Sequence, residues 1–355
     1  MLNHIRNAAL GALAVLALAE RAPAQSCAGD LNVDGVIDGG DLGTLLALWG
    51  PVTSSSWVSQ ACDLDSSGRV DGADLGTLLA SWGACQWSYD VVEMLPDPAV
   101  VTDASLRAAI TATGLAWRVR DTATQVEMLL VPPGTFQMGC IMGSDQYGCD
   151  IKELPVHQVT LTNAFYLGRY ELTQAQWVAR MGSNPSVFQR VSAQVPASQV
   201  PNRPLEGVSW QGVQSYLIKT GFRLPTEAEW EYACRAGTQT PFYNGSTDDN
   251  SVASLAWYSP NSSSQTRPVG GKFANALGFH DMLGNVSEWV NDRFDFYTAD
   301  AQTNPTGPTE GIWGRVPRGG SWSGGTDFVR SSYRWLVGSS SYADSRIGFR
   351  VARNP

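Results

Sequence analysis

The sequence predicts an α+β protein in which a small α-helical N-terminal domain precedes a larger, loop-rich domain. An internal repeat lies near the N-terminus, where the segment that begins at Asp30 returns at Asp63. Apolar runs of period two and well-capped helices follow between residues 115 and 237, and they predict a mixed domain. Beyond Thr238, glycine, asparagine, serine and proline occur throughout, which is typical of long loops.

Residues 1–24 have the pattern of a secretory signal peptide. The apolar run from Ala8 to Ala19 has the length of a signal core but is too short to span a bilayer. Ala22-Pro23-Ala24 fits the cleavage pattern, so we expect the mature chain to begin at Gln25. The protein is therefore expected to be secreted, periplasmic or at the cell surface, with no membrane segment after cleavage.

The chain is acidic, with 24 lysines and arginines against 33 aspartates and glutamates. It contains no basic block, and this balance argues against nucleic acid or anionic lipid as a partner. Of its 3 histidines, His157 and His280 lie beyond the signal segment. So few histidines argue against a histidine-based metal centre or a Ser-His-Asp triad.

The chain has 6 cysteines, and in a secreted protein these can form disulfides. Cys140 and Cys149 flank a short loop that a local bridge would close. Cys234 lies in a predicted helix and is interpreted as a small buried apolar residue. The odd number of cysteines around the repeat leaves their pairing open: Cys27, Cys62 and Cys85.

Each copy of the repeat has an oxygen-rich loop with glycine at its sixth position, followed by one apolar helix. Calcium loops supply oxygen ligands from positions 1, 3, 5, 7, 9 and 12, and the glycine permits a sharp turn. In the first loop these positions are Asp30, Asn32, Asp34, the Val36 carbonyl, Asp38 and Asp41. In the second loop they are Asp63, Asp65, Ser67, the Arg69 carbonyl, Asp71 and Asp74. Two calcium sites are predicted, the second weaker because of its neutral Ser67 and cationic Arg69.

A single loop of this composition would be interpreted as a surface turn, but two loops in register favour calcium binding. The repeat resembles a type I dockerin, in which position 12 is usually aspartate and only the helix leaving the loop is kept. The resemblance implies a small EF-hand-like helical domain over residues 25–85 that attaches the protein to a cohesin or another extracellular partner. The chain departs at Gly39-Gly40 and Gly72-Ala73, which offer a cohesin no hydroxyl or large side chain.

The rest of the chain divides into a predicted linker, residues 86–112, with one short helix near Leu106, and a domain over residues 113–355. Strand patterns in this domain occur at 115–119, 126–131 and 157–161. Three helices are predicted from their caps, which are Thr173, Ser209 and Thr226.

The stretch from Gly278 to Asp292 contains two carboxylates, Asp281 and Glu288, on either side of the backbone break at Gly284-Asn285. A hard cation takes about six to eight oxygen ligands, and such a turn can wrap its carbonyls around one. The alternative, which spacing alone favours, is a turn that starts a helix at Ser287.

Several motifs stand in order around this turn. They are Gly134-Thr135-Phe136-Gln137-Met138-Gly139, Tyr170-Glu171-Leu172-Thr173, Arg223-Leu224-Pro225-Thr226-Glu227-Ala228-Glu229-Trp230, Gly278-Phe279-His280-Asp281-Met282-Leu283-Gly284-Asn285-Val286-Ser287-Glu288-Trp289 and Arg318-Gly319-Gly320-Ser321-Trp322. Together they resemble the signature of the formylglycine-generating enzyme (sulfatase-modifying factor) family, over roughly the last two thirds of the chain. The resemblance implies a loop-rich fold related to C-type lectins. It also implies a structural calcium held by the Asp281 and Glu288 side chains and the Gly284 and Val286 carbonyls.

Members of that family with formylglycine-generating activity hold copper through two cysteines just after the Gly-Gly-Ser motif. The matching positions here are Gly324 and Val329, and no cysteine follows Cys234 in the sequence. Copper chemistry is therefore not expected, because soft thiolates are the ligands that bind copper(I) well.

We expect a secreted calcium-binding protein whose C-terminal domain is a non-catalytic binding module for a peptide or glycan. One alternative is an oxidoreductase or other enzyme of the same family with a refitted pocket. Another is an accessory protein in polysaccharide breakdown that docks on a scaffold.

Overall fold

The computed structural model describes residues 29–31, 36–52, 57–65, 67–84, 87–141, 143, 148–192, 195–310 and 313–355. Several sequence predictions lie outside these residues: the signal peptide and its cleavage before Gln25, the cysteines Cys27 and Cys85, and the loop ligands Asn32 and Asp34. Among the described residues, no helix is both long and apolar enough to cross a membrane.

The described helices are mostly short. They are α1 (Gly39–Ala47), α2 (Trp57–Cys62), α3 (Gly72–Ala80), α4 (Ala104–Ala112), α5 (Gln174–Met181), α6 (Trp210–Thr220), α7 (Glu227–Arg235), α8 (Val252–Leu255) and α9 (Ser259–Ser262).

The described strands are short as well. They are β1 (Val36–Ile37), β2 (Gly50–Pro51), β3 (Arg69–Val70), β4 (Gly83–Ala84), β5 (Tyr89–Glu93), β6 (Arg118–Asp121), β7 (Glu127–Val131), β8 (Gly134–Met138), β9 (His157–Leu161), β10 (Phe165–Gly168), β11 (Ser287–Arg293), β12 (Gln302–Thr303), β13 (Arg315–Arg318), β14 (Ile347–Gly348) and β15 (Ala352–Arg353).

The C-terminal domain is built on one larger sheet and two smaller ones. The larger sheet has the strand order β15-β10-β7-β6-β5, so the last strand of the chain pairs beside β10. The smaller sheets have the orders β13-β11-β14 and β12-β9-β8. The main hydrophobic core joins residues of these sheets to α5, α6 and α7, and the fully buried Trp230 and Trp289 belong to it.

The N-terminal repeat folds with its two copies interlocked. Strand β1 pairs with β4 and β2 pairs with β3, so the strand of each loop lies against the strand that ends the other copy. One helix follows each loop, as predicted. Asp38 caps α1 and Asp71 caps α3, each in a capping box with the aspartate three residues later.

The stretch 86–112 is not the predicted linker. Its strand β5 pairs antiparallel with β6 at the edge of the larger sheet, and α4 buries Ile110 in the main core. The residues of β5 show no clear alternation of apolar and polar side chains, so the sequence did not indicate a strand here. Strand β5 is stabilised by pairing with β6, about 25 residues away in sequence, as in the contact between Arg118 and Glu93.

The helices predicted from their caps are confirmed. Thr173 and Thr226 each form a capping box, and Ser209 accepts a hydrogen bond from Gly212 N. The strand 157–161 is also confirmed, whereas the strand predicted at 115–119 begins only at Arg118. Cys140 and Cys149 form the predicted local disulfide, and Cys234 is buried in α7.

Candidate functional site

The second loop of the repeat brings three carboxylates together. Asp63, Asp65 and Asp74 each have an oxygen within 4.8 Å of the others. Asp63 and Asp65 accept hydrogen bonds from Ser67 N at 2.9 and 3.0 Å, which curls the loop around them. Carboxylate oxygens are the ligands that calcium prefers, so the donor set fits this ion.

The remaining predicted ligands of the second loop have structural partners. Asp71 caps α3, and the Ser67 hydroxyl donates to the Arg69 carbonyl at 3.2 Å. Asp74 accepts from Leu64 N at 2.6 Å and from Asp71 N at 2.8 Å. A cation at this loop therefore has to share these oxygens with backbone N–H groups.

The first loop repeats this geometry wherever the structure describes it. Asp41 accepts from Leu31 N at 2.6 Å and from Asp38 N at 2.9 Å, which matches the two bonds of Asp74. Asp30 is fully buried, and Val36 lies in β1. The equal spacing of these contacts explains why one residue pattern produces the same turn twice.

A lysine of the C-terminal domain faces the second loop. Lys219, in the last turn of α6, interacts electrostatically with Asp63, Asp74 and Asp65. Burial lowers the pKa of this ammonium, while the three carboxylates oppose that shift. The sequence did not indicate this interaction, because Lys219 lies 145 or more residues after the carboxylates of the loop.

The turn at Asp281 begins a strand, not a helix. Ser287 is the first residue of β11, which pairs with β13 and β14 and so excludes the alternative of a helix there. Asp281 Oδ2 accepts from Gly270 N at 2.6 Å. Its other oxygen, Oδ1, is buried and has no donor among the described residues. A buried carboxylate oxygen without a donor is one that a cation could use.

Glu288 is held differently from Asp281. Arg350 donates to both its oxygens, at 2.6 and 2.7 Å, and Trp230 Nε1 donates at 2.7 Å. Both members of the ion pair are buried. The predicted calcium turn therefore fits a cation at Asp281, whereas Glu288 already has a charged partner.

A third carboxylate, Glu171, lies beside this turn. It accepts from Val286 N at 2.9 Å and from Asn285 Nδ2 at 2.6 Å. Burial, with the charges of Asp281 and Glu288, raises its pKa well above the usual range. Glu171 was not predicted to have a role in the site. Its place in the motif Tyr170-Glu171-Leu172-Thr173 could have indicated one.

The two positions that correspond to the family's copper cysteines have different environments. Val329 is completely buried in the main core. Gly324 is partly exposed, and a side chain there would begin 3.1 Å from Phe328 Cβ. Ser321 Oγ and Ser323 Oγ lie 3.3 Å apart nearby. This segment offers hydroxyl, aromatic and apolar groups and no thiolate.

A cavity of about 330 Å³ lies at the N-terminus of α7. Its walls combine apolar and polar side chains, among them Met138, His157, Asp292, Phe296, Tyr297 and Pro308. The backbone at Gly307 comes so close to Asp292 that a Cβ there would lie 2.8 Å from the aspartate's own Cβ. A glycine with φ of +70° is therefore required at this wall.

Asp292 is a buried and strongly perturbed carboxyl of the cavity. Its Oδ2 accepts from Glu227 N at 2.8 Å, and burial followed by the Glu227 charge raises its pKa to about 8. Tyr297 donates to Glu227 Oε1 at 3.3 Å, and Arg334 binds both oxygens of the same carboxylate.

His157 Nδ1 lies 3.2 Å from the Pro155 carbonyl, which can only accept, so Nδ1 carries the proton. The sequence did not indicate this cavity, because its lining residues come from distant segments.

The short strands, capped helices and long loops form a mixed α/β, loop-rich domain. Residues 101–355 match the family model described as "Sulfatase-modifying factor enzyme 1-like domain". The chain belongs to this family, and the resemblance found in its motifs is confirmed.

Similar proteins carry names from different functional classes. The serine/threonine-protein kinase pkn1 of Chlamydia caviae is 34% identical over 248 residues, which are 64% of this chain and 38% of the kinase. The chaperone protein LppX of Paenibacillus barcinonensis is 28% identical over 307 residues, which are 70% of this chain and 97% of LppX. The formylglycine-generating enzyme of Streptomyces coelicolor is 30% identical over 305 residues, which are 70% and 94% of the two chains. This chain thus spans well under half the length of the kinase.

Solved structures agree with the family assignment. The structure of PvdO from Pseudomonas aeruginosa matches with a TM-score of 0.57 and 30% identity. The match covers 67% of this chain and 98% of PvdO. The repeat lies outside residues 101–355, which the family model matches.

Proposed function

We propose that this protein is a secreted calcium-binding protein whose sulfatase-modifying-factor-like domain binds a ligand and does not oxidise cysteine. The observation that carries this proposal is the pair Gly324 and Val329 at the positions of the copper cysteines. Glycine has no side chain, and the valine is buried in the core, so neither can supply the soft ligand that copper(I) needs.

The cysteines among the described residues do not replace this pair. Cys140 is bonded to Cys149, and Cys62 is buried in the N-terminal repeat. Burial raises the pKa of the Cys234 thiol to about 12, which keeps it protonated at neutral pH. A protonated, buried thiol is a poor metal ligand.

One relative supports a non-catalytic role for the fold. LppX is named as a chaperone and is matched over 97% of its length. The same family therefore includes a full-length protein of a class other than oxidase, and function must be argued from the site.

We infer that the cavity at α7 receives the ligand, a peptide or glycan segment. Phe296 and Tyr297 offer aromatic surface, and Asp292 and His157 offer polar groups within the same walls. Ligand sites in proteins commonly combine an apolar lining with a few convergent polar groups.

Calcium is proposed at the second repeat loop, at its counterpart in the first loop, and at the Asp281 turn. The convergence of Asp63, Asp65 and Asp74 supports the loop, and the unpaired Asp281 Oδ1 supports the turn. Titration calorimetry of the EDTA-stripped protein tests this. Calcium heats that vanish in Asp63→Asn with Asp30→Asn would locate binding in the repeat, and no heat in the parent protein would refute it.

The repeat is proposed to attach the protein to a cohesin-like extracellular module. Equivalent residues of the two copies, Leu46 with Trp49 and Leu79 with Trp82, are each about half exposed. Such a repeated apolar pair fits a protein partner better than solvent. Nanomolar binding to a cohesin that is lost in Trp49→Ala with Trp82→Ala is the expected result, and unchanged binding would exclude this face.

The catalytic question has a direct test. A cysteine peptide with a sulfatase motif is incubated with the copper-treated protein and oxygen, and its mass is followed. We expect an unchanged mass. A mass loss that corresponds to formylglycine would show that cysteines at 324 and 329 are dispensable and would overturn the proposal.

A second candidate, an enzyme of another kind, is favoured by one observation. The buried carboxyl of Asp292, with its pKa of about 8, lies in the same cavity as an imidazole and a phenol, and perturbed groups often mark active sites. A stoichiometric redox metal in the purified protein, measured by elemental analysis, would favour this candidate over a binding module.

A further inference from the structure

The N-terminal repeat is packed directly on helix α6 of the C-terminal domain. Helix α2 lies against α6, and Ile218 of α6 is 4% exposed. Ile218 completes a hydrophobic cluster whose other buried members all come from the repeat: Leu31, Ile37, Leu45, Ala61, Cys62, Val70 and Leu78. The apolar contact between the two domains is therefore continuous with the hydrophobic interior of the repeat.

The residue after Ile218 brings a charge to the same interface. Lys219 interacts with Asp63, Asp65 and Asp74, the three carboxylates that converge in the second loop. Asp63 and Asp65 in turn have Lys219 among the charges that act on them. A cation of the C-terminal domain thus acts on the oxygens that calcium would use.

We propose that Lys219 competes with calcium for the second loop and thereby couples calcium binding to the docking of the repeat on α6. The proposal rests on calcium binding by that loop. A protein ammonium and a divalent cation are each attracted by the same three carboxylates and repel one another. Coupling of this kind is reciprocal, so docking weakens calcium binding and calcium weakens docking by the same factor.

A purely structural role for Lys219 makes a different prediction. If the lysine only packed its aliphatic stem against the repeat, its removal would weaken docking and leave calcium affinity unchanged. Competition predicts tighter calcium binding, so the two roles are separated by a calcium titration.

The experiment is a calcium titration of the full chain by calorimetry, with the parent protein, Lys219→Met and Lys219→Arg. We expect Lys219→Met to tighten one calcium site by roughly 5- to 20-fold, within the usual range of coupling between sites. Lys219→Arg keeps the charge and should resemble the parent. Arg190→Met removes an equal charge from an exposed residue and controls for net charge. Far-ultraviolet circular dichroism in EDTA verifies that each variant is folded.

A variant without any change of charge tests the link to docking. Ile218→Ala removes apolar contact from the interface and leaves Lys219 in the sequence, so weaker docking should again tighten the second-loop site. Unchanged affinity in Ile218→Ala would overturn the coupling to docking. Equal or weaker affinity in Lys219→Met would overturn the competition. If no variant and no parent protein bound calcium, the proposed function would fail instead.

Discussion

The buried ion pair of Arg350 and Glu288 is expected to contribute strongly to the stability of this loop-rich domain. Arg350 binds both Glu288 oxygens and also donates to the carbonyls of Gly168 at 3.0 Å and His280 at 2.9 Å. Its charge also acts on Glu171 and Asp281, two further buried carboxyls. The substitution Arg350→Met keeps a long apolar stem and removes the positive charge.

The expected loss is large because Glu288 would stay buried and keep only the Trp230 donor among the side-chain contacts described above. Removing one partner of a buried ion pair costs about 3–5 kcal/mol of unfolding free energy. For a domain of this size, each kcal/mol lowers Tm by roughly 2–4 °C, so a fall of roughly 6–20 °C is expected. The double variant Arg350→Met with Glu288→Gln should recover part of this loss, because no unpaired charge remains.

Thermal and urea unfolding in EDTA measure this effect without interference from calcium at the turn. Arg346→Met is the matched control, since Arg346 binds Asp344 at 2.7 Å with the same chemistry but with its side chain 39% exposed. Exposed pairs contribute about 0–1 kcal/mol. If Arg350→Met lost no more stability than Arg346→Met, the argument that burial makes this pair important would be refuted.

Two further predictions concern the cavity and the copper positions. Burial raises the pKa of Asp292 to about 8 from an ordinary 3.8, so the folded state holds a proton there that the unfolded state releases. The stability that this proton contributes is lost as pH rises from about 4 to 8. Asp292→Asn keeps an acceptor for Glu227 N and should gain stability relative to the parent between pH 5 and 8, by at most ~4 kcal/mol in urea unfolding; parallel pH curves would contradict this. Gly324→Cys with Val329→Cys should bind copper(I) in competition with a chelator, whereas neither single variant should; a double variant without copper affinity would mean that more than the two thiols has been lost.

Much of the local structure was predictable because its causes are local. The capping boxes at Thr173 and Thr226 join residues three apart, so the sequence alone located α5 and α7. The disulfide between Cys140 and Cys149 closes a loop with a sequence separation of 9. The two loops of the repeat were found in the same way, since each turn is built from residues within a dozen positions.

The failed predictions have non-local causes. Strand β5 was taken for part of a linker, because its residues show no clear alternation and only pairing with β6 makes it a strand. Ser287 was a possible helix start by spacing, yet pairing with β13 and β14 makes it the start of a strand. In both cases a partner from another part of the chain decided the conformation.

The sequence by itself determined the family, the repeat, the caps of the helices and the absence of cysteines at 324 and 329. Only the tertiary structure decided which charges are buried together, because a carboxylate such as Glu288 has the same sequence context whether solvent or Arg350 faces it. The same holds for Asp292 in its cavity and for Lys219 at the second loop. Their chemistry depends on desolvation and on neighbours brought in by folding, and neither is encoded in local spacing.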